Sequence, residues 1–417
     1  MKVNKWVCGG LGVFCLLLVI YGCTLFVPRW TDYQACDLRY RHNEICCSHE
    51  GINPFKIWNH EVDSVHFKGL SRPDYTFDSA SEKLAVHAYP PWHTTFFWFY
   101  GWLPQEACVF LMYLLFGGAL CFLPFFLSRW QPREVSFRLF FWGVLLVPLT
   151  YPIITCIATG NYGLFLFLLS VWLYWSLEKK HDILAGIAWA LLMIKPQVGL
   201  LFIWPLLFQK RYLTIVVAGL ICSLATLWPA YIYKCSPIEL LLQIPQIGEP
   251  YMVATYGSLP GIARILLGSV GAPIWMIICF IACGILSFLI RNAPTWWLRT
   301  LPVILIFPVW TYSQAHDLII SWSLYLLVTL VCIGGAPFVV PRQGRIYFLV
   351  YTGILAIITA FNLTWEIVTQ MNWFNPAGKG FIFVGVNMLL TGLTFVMFLM
   401  ALRWIRASSP QKEVTLK

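Results

Sequence analysis

The chain has 417 residues, of which 59% are hydrophobic and only 11% charged. A soluble domain carries about 45–50% apolar and about 25% charged residues, so the composition excludes a soluble Rossmann or TIM-barrel enzyme, a disordered chain, a coiled coil and a small disulfide scaffold. The net charge of +10 raises the question of nucleic-acid binding, which only the placement of the charges can answer.

A membrane-spanning helix needs about 20 apolar residues, because every backbone polar group must be satisfied internally. The stretches that qualify are 6–27, 104–127, 138–157, 161–177, 213–232, 273–290, 300–314, 317–333, 346–362 and 381–402. A further apolar stretch, 183–207, is interrupted by Lys195-Pro196-Gln197. Proline removes a backbone donor, so this stretch is expected to form two half-helices, 183–193 and 196–207. Together they would make a hairpin that dips into the bilayer. The expected fold is an all-α polytopic membrane protein forming one domain over 1–417. It has about ten transmembrane helices, the broken re-entrant hairpin, a long extracytoplasmic loop at 28–90 and a cytoplasmic tail at 403–417.

Ten spans place both termini on one side. With the N-terminus cytoplasmic, 17 of the 28 basic residues lie inside and Lys195 lies within the membrane. Seven of the other ten share the 28–90 loop, where the positive-inside rule weakens, so the short loops divide 17 to 3. The basic excess is therefore a topology signal, and nucleic acid is not an expected partner. The apolar start after Met1-Lys2 resembles a signal peptide, but an uncleaved first helix is the expectation.

The 28–90 loop holds half the acidic residues and five of the eight histidines. A loop of that length in a compact protein is usually functional. Asp32 and Tyr33 fall just past the first span, where an acid can reach a lipid headgroup. Cys36, Cys46 and Cys47 lie in this loop and Cys235 in another outside loop; an oxidising compartment would permit a disulfide, with no pairing assigned. No ordered metal-ligand spacing is present, and no metal is expected. Tyr89-Pro90-Pro91-Trp92-His93 opens an aromatic run through Trp102. This is either an interfacial belt or, given His93, part of a headgroup site.

Ionisable residues inside the apolar part are functional hypotheses by default. Lys195 is too far from either cytoplasmic basic cluster to snorkel back, which favours a cavity role. His316-Asp317 interrupts the apolar run of 300–333. It is either a polar turn or an imidazole held by its neighbour and aimed at an anion. Asn161, in Gly160-Asn161-Tyr162-Gly163, is either a helix cap or a site residue. One acid at the outer surface, with cations in a membrane cavity, suits an anionic lipid headgroup reacting with a hydroxyl. The carboxylate accepts the proton and the cations stabilise a phosphate leaving group. No P-loop, dinucleotide fingerprint or nucleophile elbow points to a nucleotide or an acyl substrate.

The order of these pieces resembles a known family. An acid follows the first span, then comes Tyr89-Pro90-Pro91, then Gly160-Asn161 opening a span and the turn Glu178-Lys179-Lys180-His181-Asp182. Ala185-Gly186 leads to Lys195-Pro196-Gln197, and Ser313-Gln314-Ala315-His316-Asp317-Leu318 closes the series. This is similar to the GT-C glycosyltransferases of family 87, the polyprenyl-phosphate-mannose-dependent α-mannosyltransferases, over roughly residues 28–330. The stretch from Gly160 to Arg211 is the most specific part. The resemblance implies an extracytoplasmic site in the cell membrane, a lipid-phosphate sugar donor and a glycolipid or glycan acceptor. It also implies an inverting displacement that needs neither cofactor nor metal. Asp32 matches the general base, and Lys195 and His316 match groups near the donor phosphate. Tyr33, Asp37, Tyr89, His93, Asn161, Gln197 and Asp317 are expected to line the substrates.

Departures are informative. Asn161 stands where many members have Gln. The first loop is longer and richer in Cys and His, and it makes Asp37 a rival base. A GT-C transferase of another lipid-linked pentose or hexose is the alternative enzyme. A lipid or solute transporter is the non-enzymatic one, disfavoured because only one broken hairpin is present.

Overall fold

A computed structural model describes residues 13, 36–58, 89–130, 156, 160–244, 259–293 and 296–310. Among these residues the structure is all helical, without strands. The spans expected at 317–333, 346–362 and 381–402 and the tail lie outside the described residues, as do the first span apart from Val13 and most of 138–157.

Among the described residues, the helices that bear on the site are these, in chain order. Helices α1 (Cys36–His49) and α2 (Pro54–Trp58) lie within the stretch read from the sequence as a loop. Helix α3 (Pro91–Phe96) opens on the two prolines, and a 3-10 segment, Trp98–Trp102, leads into α4 (Gln105–Trp130). Helices α5 (Gly163–Glu178) and α6 (Asp182–Leu192) form a hairpin, and the chain resumes as α7 (Pro196–Gly199) and α8 (Ile203–Phe208). Helix α9 (Tyr212–Tyr233) is followed by α10 (Leu259–Leu267), α11 (Gly271–Leu289), α12 (Trp296–Arg299) and α13 (Leu301–Trp310).

Two helical segments, Tyr212–Tyr233 and Leu259–Leu289, are long and apolar enough to cross a membrane. On α9 the residues Leu213, Val216, Leu220, Leu224, Leu227 and Tyr231 recur every three or four positions and are exposed. Ile274, Ile277, Ile281, Ile285 and Phe288 repeat the pattern on α11. An apolar stripe of this length facing outward suits lipid rather than water. The chain is a membrane protein.

Helix α6 packs between α5 and α9. Gly186 makes this possible, because a Cβ there would stand 2.6 Å from the Val217 side chain and 3.0 Å from the Thr214 carbonyl. One end of the hairpin is pinned by charge. Arg211 Nη1 donates to both Asp182 oxygens at 3.2 and 3.4 Å, and the Thr214 hydroxyl donates to Asp182 Oδ1 at 3.2 Å. The Trp296 backbone N–H donates to Glu178 Oε1 at 2.8 Å, bringing α12 to the same end.

The expected break is present at the other end. A residue before proline is driven out of the helical region by the proline ring. Lys195 accordingly adopts φ −113° and ψ 91° ahead of Pro196. Breaking a helix strands carbonyl groups, and three indoles meet them. Trp92 donates to Met193 O at 2.9 Å, Trp189 to Gly199 O at 2.8 Å and Trp310 to Gln197 O at 2.8 Å. The lysine turn is thus held from α3, α6 and α13 together. Pro229 in α9 likewise cannot donate to the carbonyl four residues back, Ala225 O. The Thr95 hydroxyl fills that place at 2.5 Å, docking the Tyr-Pro-Pro segment on α9.

Gly186→Ala should push α6 off α9 and destabilise the protein by roughly 1–3 kcal/mol through overpacking. A lower midpoint of thermal unfolding in detergent is the expected result; an unchanged midpoint would show that the two helices part without cost.

Candidate functional site

The site forms where the start of α5 and the Lys195 turn meet α1. Helix α1 carries Asp37, Arg41, Glu44 and Ser48, spaced by four, three and four residues and therefore on one face. This polar face points into the protein, as the contacts of its members show.

At the first position, Asp37 Oδ2 accepts a hydrogen bond of 2.7 Å from Asn161 Nδ2. Asn161 Oδ1 in turn accepts one of 3.2 Å from Lys195 Nζ and one of 3.0 Å from the Gly163 backbone N–H. Asn161 thus takes up the first N–H of α5 and bridges α1 to the Lys195 turn. Lys195 is 5% exposed and Asn161 4%. Lys195 follows the last residue of α6 by three positions.

At the next two positions, Arg41 lies 3.5 Å over the ring of Tyr89 and pairs with Glu44 at 3.2 Å. Glu44 is 1% exposed. Its Oε1 accepts the Tyr89 backbone N–H at 3.1 Å and lies 3.5 Å from His93 Nδ1. His93 Nε2 shares a hydrogen bond of 3.2 Å with the Tyr162 hydroxyl. A carboxylate on the Nδ1 side favours the proton there, which leaves Nε2 to accept from Tyr162. At the last position Ser48 Oγ and the Tyr233 hydroxyl lie 2.6 Å apart. Phe97 stacks on Tyr162 at 4.9 Å and closes the cluster on one side.

Burial drives the His93 imidazole below the ordinary histidine value of 6.5, outweighing the opposite pull of Glu44. His93 is therefore neutral near pH 7. Asp37, Lys195, Arg41 and Glu44 then contribute two charges of each sign, a balance that buried charge requires. Burial also pushes the Cys47 thiol up to about 12, which makes it a poor nucleophile. Cys46, Cys47 and Cys235 are free thiols.

Of the residues expected from sequence, Asp37, Asn161 and Lys195 are brought together directly. Tyr89 and His93 join through Glu44. Gln197 contributes its backbone carbonyl to Trp310. Asp32, Tyr33, His316 and Asp317 lie outside the described residues. Arg41, Glu44 and Tyr162 were not singled out in the sequence; the helical spacing of Arg41 and Glu44 from Asp37 was the signal available.

The site lies among helices of a membrane protein and joins an acid, an amide and a buried lysine at the break ahead of Pro196. Residues 87–293, just under half of the chain, match the model of Glycosyltransferase family 87. The match agrees with the resemblance read from the sequence: over this segment the chain is similar to Glycosyltransferase family 87, a family of glycosyltransferases. No curated protein and no solved structure matches it.

Two outcomes follow from the buried cluster. Glu44→Ala leaves Arg41 buried without this partner and should cost about 3–5 kcal/mol in stability, read as a lower unfolding midpoint; a neutral effect would mean that Arg41 reaches water. The lowered His93 value means that the unfolded chain binds this proton more readily than the folded one. Stability from His93 is therefore present above 6.5 and is lost as pH falls towards the lowered folded value. Unfolding midpoints measured from pH 7.5 to 5 should fall less steeply for His93→Gln than for the wild type.

Proposed function

We propose that the protein transfers a mannosyl unit from a polyprenyl phosphate donor to an acceptor hydroxyl of a glycolipid or glycan at the outer face of the cell membrane. The observation that carries this reading is the buried Lys195, positioned by the Pro196 break beside Asn161 within the segment that matches family 87. An ammonium at the end of an apolar hairpin suits the phosphate of a lipid entering sideways from the bilayer. Ten spans with both termini cytoplasmic would put this end of the hairpin outside, because Glu178, Asp182 and Arg211 mark the opposite, charge-rich end.

In the proposed reaction Asp32 takes the acceptor proton. The acceptor oxygen bonds to the anomeric carbon from the face opposite the phosphate. The anomeric carbon–oxygen bond to phosphate breaks, and the polyprenyl phosphate leaves with the electron pair. Lys195 and His316 balance the charge on that phosphate. Asp32 stands four residues before α1 and His316 six residues after Trp310. At about 3.3–3.6 Å per residue, those chain lengths let both reach the Lys195 turn, which α1 and Trp310 already touch through Asp37 and Gln197. The leaving group is a phosphate monoester, so positioning and charge stabilisation would supply most of the rate. The reaction needs no cofactor.

The test uses purified protein with polyprenyl-phosphate mannose and membrane extract as acceptor source. Asp32→Asn should lower transfer by about 10²-fold or more with donor binding retained. Full activity in that variant would remove Asp32 from the role, and transfer of a different sugar by the wild type would correct the donor.

A further inference from the structure

We infer that Asp37 and Asn161 are positioning residues that aim Lys195 at the donor phosphate through a hydrogen-bonded relay from α1 to the hairpin. The inference rests on the phosphate-binding reading of Lys195 and says how that lysine is held.

An asparagine side chain presents an acceptor on one side and a donor on the other, and its orientation must come from its neighbours. Here the neighbours leave one choice. The Asp37 carboxylate can only accept, so the amide nitrogen must face it at 2.7 Å. The Lys195 ammonium and the Gly163 N–H can only donate, so the amide oxygen must face them at 3.2 and 3.0 Å. Asp37 therefore fixes the amide, and the amide fixes the ammonium. The Asn161 amide oxygen is a fixed acceptor for the ammonium, so its direction sets the direction of the Lys195 head.

The relay also joins two pieces of chain that are far apart in sequence. Asp37 sits at the start of α1, and Lys195 sits past the end of α6. Asn161 lies between them because the Asn161 carbonyl accepts from Cys156 Sγ at 2.9 Å and its backbone N–H donates to Cys156 O at 3.0 Å. The amide is thus anchored on its own backbone and is free only to rotate. Rotation is what Asp37 prevents.

The experiment measures binding of polyprenyl phosphate to the full chain in detergent, together with donor KM and kcat for polyprenyl-phosphate mannose. Lys195→Met should weaken binding and raise donor KM. Asn161→Leu removes both links and should raise donor KM about tenfold, the usual weight of a hydrogen bond to a charged group, while acceptor KM is unchanged. Asp37→Leu should match it, and the double variant should be no worse than either single one. Asp37→Asn can still accept from Asn161 and should restore most of the donor affinity. Should Asn161→Leu fail to fold, the isosteric Asn161→Asp carries the test. A carboxylate there pairs with Lys195 when ionised, so its donor KM should rise with pH where that of the wild type does not. Weakened binding in Lys195→Met with unchanged binding and KM in the Asn161 and Asp37 variants would overturn the relay alone. Unchanged binding in Lys195→Met would overturn the phosphate reading and the relay with it.

Discussion

Breaking a helix inside an apolar bundle exposes carbonyl groups that no water is present to satisfy, and everything at this site depends on how the break at Lys195-Pro196 is repaired. The proline ring forces Lys195 into an extended conformation, which turns one lysine out of the helix at the level of Asn161. Three indole N–H groups, from Trp92, Trp189 and Trp310, take up carbonyls of the turn. An indole suits this task because its single donor is carried on a large apolar body that lipid and protein core both accept. The same turn is thus tied to the Tyr-Pro-Pro segment on one side and to the end of α13 on the other. His316 follows that end by six residues.

The second requirement is a partner for the charge. Helix α1 supplies it by burying its polar face. Asp37 reaches the lysine through Asn161, while Glu44 gathers Arg41, Tyr89 and His93. These contacts bring α1 against α3, the start of α5 and the end of α9. Within this arrangement Asp37, Asn161, Lys195, Arg41 and Glu44 each meet a polar partner, which is the condition for keeping charge away from water. His93 is held neutral within it by burial, which outweighs the opposite pull of Glu44.

Parts of this were legible in the sequence because their causes are local. The break at 183–207 follows from Pro196, and the apolar stretches at 213–232 and 273–290 fall within a residue or two of α9 and α11. The Gly186 contact is hinted at by a small pair, Ala185-Gly186, in an apolar helix. The rest depends on contacts across long sequence separations. Nothing near Met193 announces that Trp92 will satisfy its carbonyl, and nothing near Asn161 announces Asp37. Helix α1 was hidden for a different reason. Its composition is that of a solvated loop, and the spacing of Asp37, Arg41, Glu44 and Ser48 marks a helix only to a reader who allows a polar face to be the buried one. Asp37, weighed in the sequence as a rival base, bonds to Asn161 across a separation that no local pattern announces.

The central claim is that the Lys195 turn is the donor-phosphate end of a glycosyl transfer site. A structure of the full chain with polyprenyl phosphate bound tests it most directly. The phosphate should lie at about 3 Å from Lys195 Nζ, with Asp32 and His316 lining the same cavity. A phosphate bound at another surface, with Lys195 still enclosed between Asn161 and α1, would contradict it.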